Sequence, residues 1–232
     1  RRLSGGFVRA MSLVENENAK HELEVALSRF TNPAADQMRR DNTAEEIGRM
    51  EIPTQAKILA LGEIISTDKG RAAEQALSVL ATFGNAAKEQ SSLVVSVLRD
   101  PEAKPYVRHA AVRVLGKIPD VSDKNAIAAL GEAFPRLVDS SKAEAAEAFG
   151  HFGTNAIEYV PMIVPLLVHK YANYQFSAFV AISKIQKPRP LDLKNISKAI
   201  LQQSNSFAYY QAIQGADEEV KKRAIPVILE VL

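Results

Sequence analysis

Few residues in this chain could do chemistry, and they are scattered. The four histidines, His21, His109, His151 and His169, are spread over most of the 232 residues, and no cysteine accompanies them. A cysteine-free chain has no thiol nucleophile, no disulfide framework and no Cys-ligated zinc or iron–sulfur centre. His109 and His151 fall at different phases of the helices that would carry them, so they predict no histidine ladder and no metal pair. His21-Glu22 with Glu24 reads as a charged helix face. Glu144 and Glu147 lie at helix spacing near Lys142, the pattern of a solvated surface rather than of a general acid–base pair. Glu15 to Asn18 reads as a helix break and cap, since a calcium loop needs about twelve residues around a central glycine. Phosphate-loop, dinucleotide, zinc-protease and serine-hydrolase motifs are all missing. The expectation is a protein that is not an enzyme, with no cofactor and no metal.

One stretch is chemically biased. Residues 151–200 hold Lys170, Lys184, Lys187, Arg189, Lys194 and Lys198 against only Glu158 and Asp192, while the whole chain has a formal charge of just +2. Tyr159, Tyr171, Tyr174, Phe176 and Phe179 fall in the same stretch. Lys184 and Lys187, three apart, share one face at a helix end, where positive charge also complements the helix dipole. Arg189 stands between Pro188 and Pro190, which hold the backbone extended and present the guanidinium on a turn. Tyr171 and Tyr174 open the same helix at its far end. The candidate partner-binding residues are therefore Tyr171, Tyr174, Lys184, Lys187, Arg189, Lys194 and Lys198, and the expected partner is another protein or peptide, acidic where it meets the lysines. The competing account makes Phe176 and Phe179 core residues and the lysines a solubilising helix face. A charge near neutral argues against a DNA-coating protein, and no apolar run approaches the ~20 residues needed to cross a bilayer. Arg1-Arg2-Leu3-Ser4 resembles a basophilic kinase site, and Asn195-Ile196-Ser197 is a glycosylation sequon that matters only in a secreted eukaryotic protein.

The elements that must position these residues are repeated. Residues 107–118, 141–152 and 177–188 align without gaps, bringing Ala111, Ala145 and Ala181 into register, then Leu115, Phe149 and Ile185. Gly84, Gly116 and Gly150 mark the ends of successive copies, at a period of just over thirty residues, the size of one supersecondary unit. Within a copy, Val107, Ala110, Ala111, Val114, Leu115 and Ile118 form one face of a helix. The small residues let a neighbouring helix approach, and each terminal glycine is expected to serve as a left-handed C-cap. A second helical pattern precedes each copy, at Leu93–Leu98, Ala126–Val138, Tyr159–Val168 and Leu191–Leu201. Ser141 with Glu144, and Thr43 with Glu46, are spaced as capping boxes. The unit is helix–turn–helix, with pairs predicted at 54–83, 85–117, 122–151, 156–186 and 191–214.

Leu98-Arg99-Asp100-Pro101 followed by Val107-Arg108-His109-Ala110-Ala111, then Val114-Leu115-Gly116 and Ile118, resembles the HEAT repeat. Tyr159-Val160-Pro161-Met162-Ile163-Val164-Pro165 is similar to the family's proline-bent first helix. The resemblance covers about 54–214 and implies an all-α, right-handed α-solenoid of about five HEAT-like helix pairs. It also implies that Asp100 and Arg108 belong to the family's interrepeat ladder, which only Asp139 with Lys142 echoes in the next copy. By analogy the protein is a non-enzymatic scaffold that binds a partner protein or peptide along the solenoid surface. The alternative is a nucleic-acid-binding HEAT-like protein of the DNA-glycosylase type. That reading is opposed by the absence of tryptophan and of a basic groove. The HEAT-like bilin lyases are a third class that no residue favours.

Both ends depart from the repeat. Residues 1–50 read as an N-terminal helical cap, with Arg1 to Gly6 frayed, a buried stripe of Leu23, Ala26, Leu27 and Phe30, and Asn32-Pro33 starting a short helix. Residues 51–232 carry the repeats and end on a terminal helix at 217–232. Val227, Ile228, Val231 and Leu232 would leave that end apolar and seeking contact. A start on Arg1 rather than Met reads as a fragment or processed product.

Overall fold

The computed structural model describes residues 4–32, 34–118 and 123–185, and among these there is no β-strand. The helices fall into two compact units, Arg1–Pro119 and Asp120–Leu232. The fold class is all-α and of helical-repeat, solenoid type.

The first unit opens with α1 (Gly5–Ser12), α2 (Glu17–Thr31), α3 (Gln37–Asp41) and α4 (Thr43–Arg49). The helix at Gly5 corrects the expectation of a frayed start through Gly6: Phe7 and Ala10 are buried, and α1 packs on α5 (Thr54–Thr67). Asn16 caps α2, accepting the backbone N–H groups of Asn18 and Ala19 at 3.0 and 3.1 Å, so the Glu15–Asn18 segment is a break and cap. The stripe Leu23, Ala26, Leu27 and Phe30 is buried, with Phe30 edge-on to Phe7 at 6.1 Å. The short helix after Asn32 starts later than the sequence suggested. Asn32 binds the Ala34 N–H, and Asp36 is the cap of α3. Then come α6 (Arg71–Thr82), a 3-10 turn over Gly84–Gln90, α7 (Ser91–Arg99) and α8 (Pro105–Lys117). Second helices meet in series: α4 packs on α6, and α6 on α8.

The second unit contains α9 (Lys124–Ala133), α10 (Asp139–Phe152), α11 (Val160–Ile163) and α12 (Ala172–Ile185). The first helix of each pair is interrupted where proline falls. Pro135 ends α9 in a 3-10 turn, five residues short of the Val138 end expected, and Pro161 and Pro165 split 153–168 into 3-10, α and 3-10 pieces. The main contact of the unit is α10 on α12.

Two kinds of local expectation need correction. Gly116 and Gly150 are not left-handed caps but lie inside α8 and α10. Positive φ occurs, among the described residues, at Gly84 (53°) and Gly153 (60°). Gly150 is small for a packing reason: a Cβ there would stand 3.0 Å from the Ala181 Cα, so its absence lets α10 and α12 approach backbone to backbone. Neither capping box forms, because both helices start earlier than the motif requires. Ser141 is a buried residue of α10, and Thr43 sits inside α4 giving its hydroxyl to the Arg39 carbonyl, while Glu46 pairs with Arg29 at 2.7 Å. The predicted pair at 191–214, the terminal helix 217–232 and its apolar end, and the Asn195 sequon lie outside the described residues, as does most of the Arg1–Ser4 motif.

Ala111 and Ala145, aligned by the repeat, are both fully buried. Ala111→Glu and Ala145→Glu would each bury an unpaired carboxylate, at a cost of roughly several kcal/mol. Both variants should lose helical circular-dichroism signal at a clearly lower temperature than the parent. Unchanged melting would contradict this packing.

Candidate interaction surfaces

Within each unit, polar side chains at or beside the turns between paired helices join one repeat to the next. In the first unit Lys69, after α5, donates to Asp100, after α7, at 2.7 Å. Asp100 also accepts the Glu102 N–H at 2.9 Å. These two hydrogen bonds, from Lys69 first, hold the Asp100 carboxyl below its usual range, and the same contact raises the Lys69 ammonium. Among the described residues, an interrepeat bridge thus runs back from Asp100 to Lys69. Arg108 is buried and closes its own turn, donating to the carbonyls of Asp100, Pro101 and Ala103 at 3.3, 3.5 and 2.9 Å. Sequence reading missed Lys69. The 31-residue separation of the two partners, one repeat, is the signal that could have found it.

In the second unit the corresponding joint is Asp139 to His169, 3.2 Å apart, with Lys142 also 3.7 Å from Asp139. The His169 Nδ1 accepts the Tyr171 backbone N–H at 3.2 Å, which puts the proton of the neutral ring on Nε2, facing the Asp139 carboxylate. Both ring nitrogens are thereby engaged, so this His–Asp pair positions a turn and offers no lone pair to a substrate. The imidazole in turn fixes the predicted tyrosines: its centre lies 4.9 Å from the Tyr174 ring and 5.5 Å from Tyr171, and the two tyrosines meet edge to face at 5.6 Å and 86°. Tyr171 is 52% exposed, with the Lys170 ammonium 4.9 Å from its ring centre.

A groove of about 210 Å³ runs between α10 and α12, bordered by Glu147 and His151 on one side and by Phe176, Val180 and Lys184 on the other. The Ser177 hydroxyl donates to Glu147 across its floor at 2.6 Å. Phe179 is core, whereas Phe176 is half-buried and lines the groove. Lys184 is exposed in the last turn of α12, ten residues or ~15 Å of helix rise from Tyr174. Of the predicted contact residues, Tyr171, Tyr174 and Lys184 thus border one helix. Lys187, Arg189, Lys194 and Lys198 lie outside the described residues.

Among the described residues no three His, Asp or Glu side chains group as a metal site, and no helix is long and apolar enough to cross a membrane. Residues 107–134, spanning α8 and α9, match the family model described as PBS lyase HEAT-like repeat. The comparison with curated proteins returned no match. A crystal structure of an engineered protein, produced by a structural genomics consortium, is similar with a TM-score of 0.55 over 90% of this chain and 96% of that one, at 16% identity. Such a likeness speaks for the fold alone. The chain carries HEAT-like repeat sequence on an all-α helical-repeat fold.

Because the folded-state pKa of Asp100 is depressed, whatever stability its carboxylate adds is present above the ordinary carboxylate range and lost as pH falls through the lowered value. Asp100→Asn should melt below the parent at neutral pH, and the gap should close under acid. A gap that persists unchanged to the most acidic point of a melting series would show that the charge plays no part in it.

Proposed function

We propose that the protein is a non-enzymatic interaction scaffold whose α12 surface engages an acidic segment of a partner protein. The observation that supports this is the arrangement along one helix. A rigid tyrosine corner at Tyr171 and Tyr174, held by His169, stands at one end, and Lys184 at the other, with the α10/α12 groove between. Tyrosines held by neighbours lose little rotamer freedom on binding, so they make efficient contacts. Lys170 and Lys184, with Lys187, Arg189, Lys194 and Lys198 following in sequence, add the charge that would attract acidic residues. The lone α12 lysine could serve the helix dipole without any partner, and the test must separate the two roles.

Changing Lys184, Lys187 and Arg189 together to Glu should weaken binding of a recovered protein partner at least tenfold at ~50 mM salt, where the screening length is ~14 Å. The circular-dichroism spectrum should stay that of the parent. Tyr171→Ser with Tyr174→Ser should weaken the same complex with little salt dependence. Equal binding by both variants would reduce the cluster to a solvated helix end. Tight binding to duplex DNA that falls steeply with salt would favour the nucleic-acid reading instead.

A further inference from the structure

A cleft of about 390 Å³ opens in the first unit where the C-terminal ends of α5 and α7 diverge. That volume is within the range of small-ligand and side-chain sites, roughly 300–1,000 Å³. Its floor is apolar and buried, made by Ile65, Ala103 and Val107, and the half-buried Leu93 and Val97 stand above it. The polar rim has a one-sided chemistry. The Ser66 hydroxyl proton is spent on the Glu63 carbonyl at 2.9 Å and the Ser96 proton on Leu93 at 2.7 Å, so both oxygens can only accept from a ligand. Asp68 uses Oδ1 to bind the Gly70 and Ala73 N–H groups and keeps Oδ2 unengaged. Asp100 is an acceptor too, and the cleft's one charged donor, Lys69, is already spent on it. The negative end of the α5 dipole adds to this field, since its last turn holds no basic residue.

An apolar floor beneath a rim of acceptors fits an apolar stem ending in a donor-rich cation. We infer that the cleft receives an arginine side chain from an extended segment of a partner protein, the methylenes lying over Ile65 and Val107 and the guanidinium reaching the serine and aspartate oxygens. Arginine suits the rim better than lysine because its planar head presents five donors toward several acceptors at once, and its stem gains from covering apolar surface. Lys69, 70% exposed in its side chain, is the internal competitor for Asp100 and can swing outward as the guest enters. This socket does not depend on the α12 surface and is opposite to it in charge preference.

The probe is the peptide acetyl-Gly-Gly-Arg-Gly-Gly-amide, titrated at low salt into isotopically labelled protein and followed by amide NMR. Shifts should centre on Ser66, Lys69, Ser96, Val97 and Asp100. The citrulline peptide, the same shape without the charge, should bind at least tenfold more weakly. Lys69→Gln should tighten arginine binding about threefold or more by removing the competitor, and Ser96→Trp, at an exposed rim position, should abolish it while melting as the parent does. If Ser96→Trp fails to fold, the citrulline and Lys69→Gln comparisons decide alone. Equal binding of arginine and citrulline peptides, or shifts scattered over the surface, overturns the proposal. Spermidine shifting the same amides at tenfold lower concentration than the peptide overturns the choice of a protein side chain in favour of a polyamine. The Lys184/Lys187/Arg189→Glu variant should still bind the arginine peptide unchanged, so that failure of the α12 reading and failure of this one are told apart.

Discussion

Close approach of successive second helices is the constraint on which the rest of each unit depends. A helix–turn–helix pair of some thirty residues cannot bury an apolar face alone, so its second helix must lie against the next one with almost nothing between. The residues at these contacts are small for that reason. Ala72, Ala73 and Ala76 on α6, Ala110 and Ala111 on α8, and Ala145, Ala146 and Ala148 on α10 are all buried. Gly150 goes further, admitting the Ala181 backbone to within a distance that a Cβ would contest. Larger side chains then fill the layer between first and second helices, where Phe149 stacks on Tyr159 with ring centres 4.9 Å apart. Gly131 belongs to the same arrangement, since a Cβ there would clash with the edge of the Tyr159 ring.

Once the helices are spaced this way, their ends fall at regular intervals, and polar side chains one repeat apart come within reach. Such links among the described residues include Gln55 to Glu89 at a separation of 34 residues, Lys69 to Asp100 at 31, Asp139 to His169 at 30, and Ser177 to Glu147 at 30. Their chemistry differs at every step, as amide–carboxylate, ammonium–carboxylate, carboxylate–imidazole and hydroxyl–carboxylate. Exposed ion pairs such as Lys69–Asp100 contribute little to stability. They follow from the spacing rather than create it, and the position recurs while the residue type is at liberty to change.

That ordering explains how much of the molecule was legible in its sequence. Helix periodicity and the aligned alanines depend on backbone geometry and near-neighbour packing, so Leu23 to Phe30 and Val107 to Ile118 could be read directly. Helix starts could not. A capping box needs its first residue to stay outside the helix. At Thr43 and Ser141 the helix begins earlier, and nothing local in Thr43-Ala44-Glu45-Glu46 or Ser141-Lys142-Ala143-Glu144 announces that. The repeat glycines divided: Gly84, just past α6, is left-handed as expected. At Gly116 and Gly150 the same signal misled, since a small residue at the end of a helical pattern suits either a left-handed cap or a close crossing, and only the position of Ala181 decides for the second at Gly150. The tyrosines were visible as residue types, but what holds them was not, because His169 and Asp139 are distant in sequence and meet only through the repeat spacing.

The same separation of roles bears on where specificity can reside. Side chains on the buried faces are fixed by the need for close approach, and a change there alters the spacing of everything beyond it. The turns carry less of this burden, since their backbones are set by the helices on either side and many of their polar side chains, such as Lys69 and Lys170, are exposed. His169 illustrates the consequence. In another setting an Asp–His pair would invite a catalytic reading, but here the Tyr171 N–H occupies one ring nitrogen and Asp139 faces the other. The imidazole is thus a strut between a turn and the two tyrosines it supports. At the corresponding turn of the first unit, Lys69 and Asp100 neutralise each other above an apolar cleft and leave a rim of acceptors. One geometric position therefore yields an aromatic corner in one repeat and a cation-seeking socket in another, without disturbing the helices that define it.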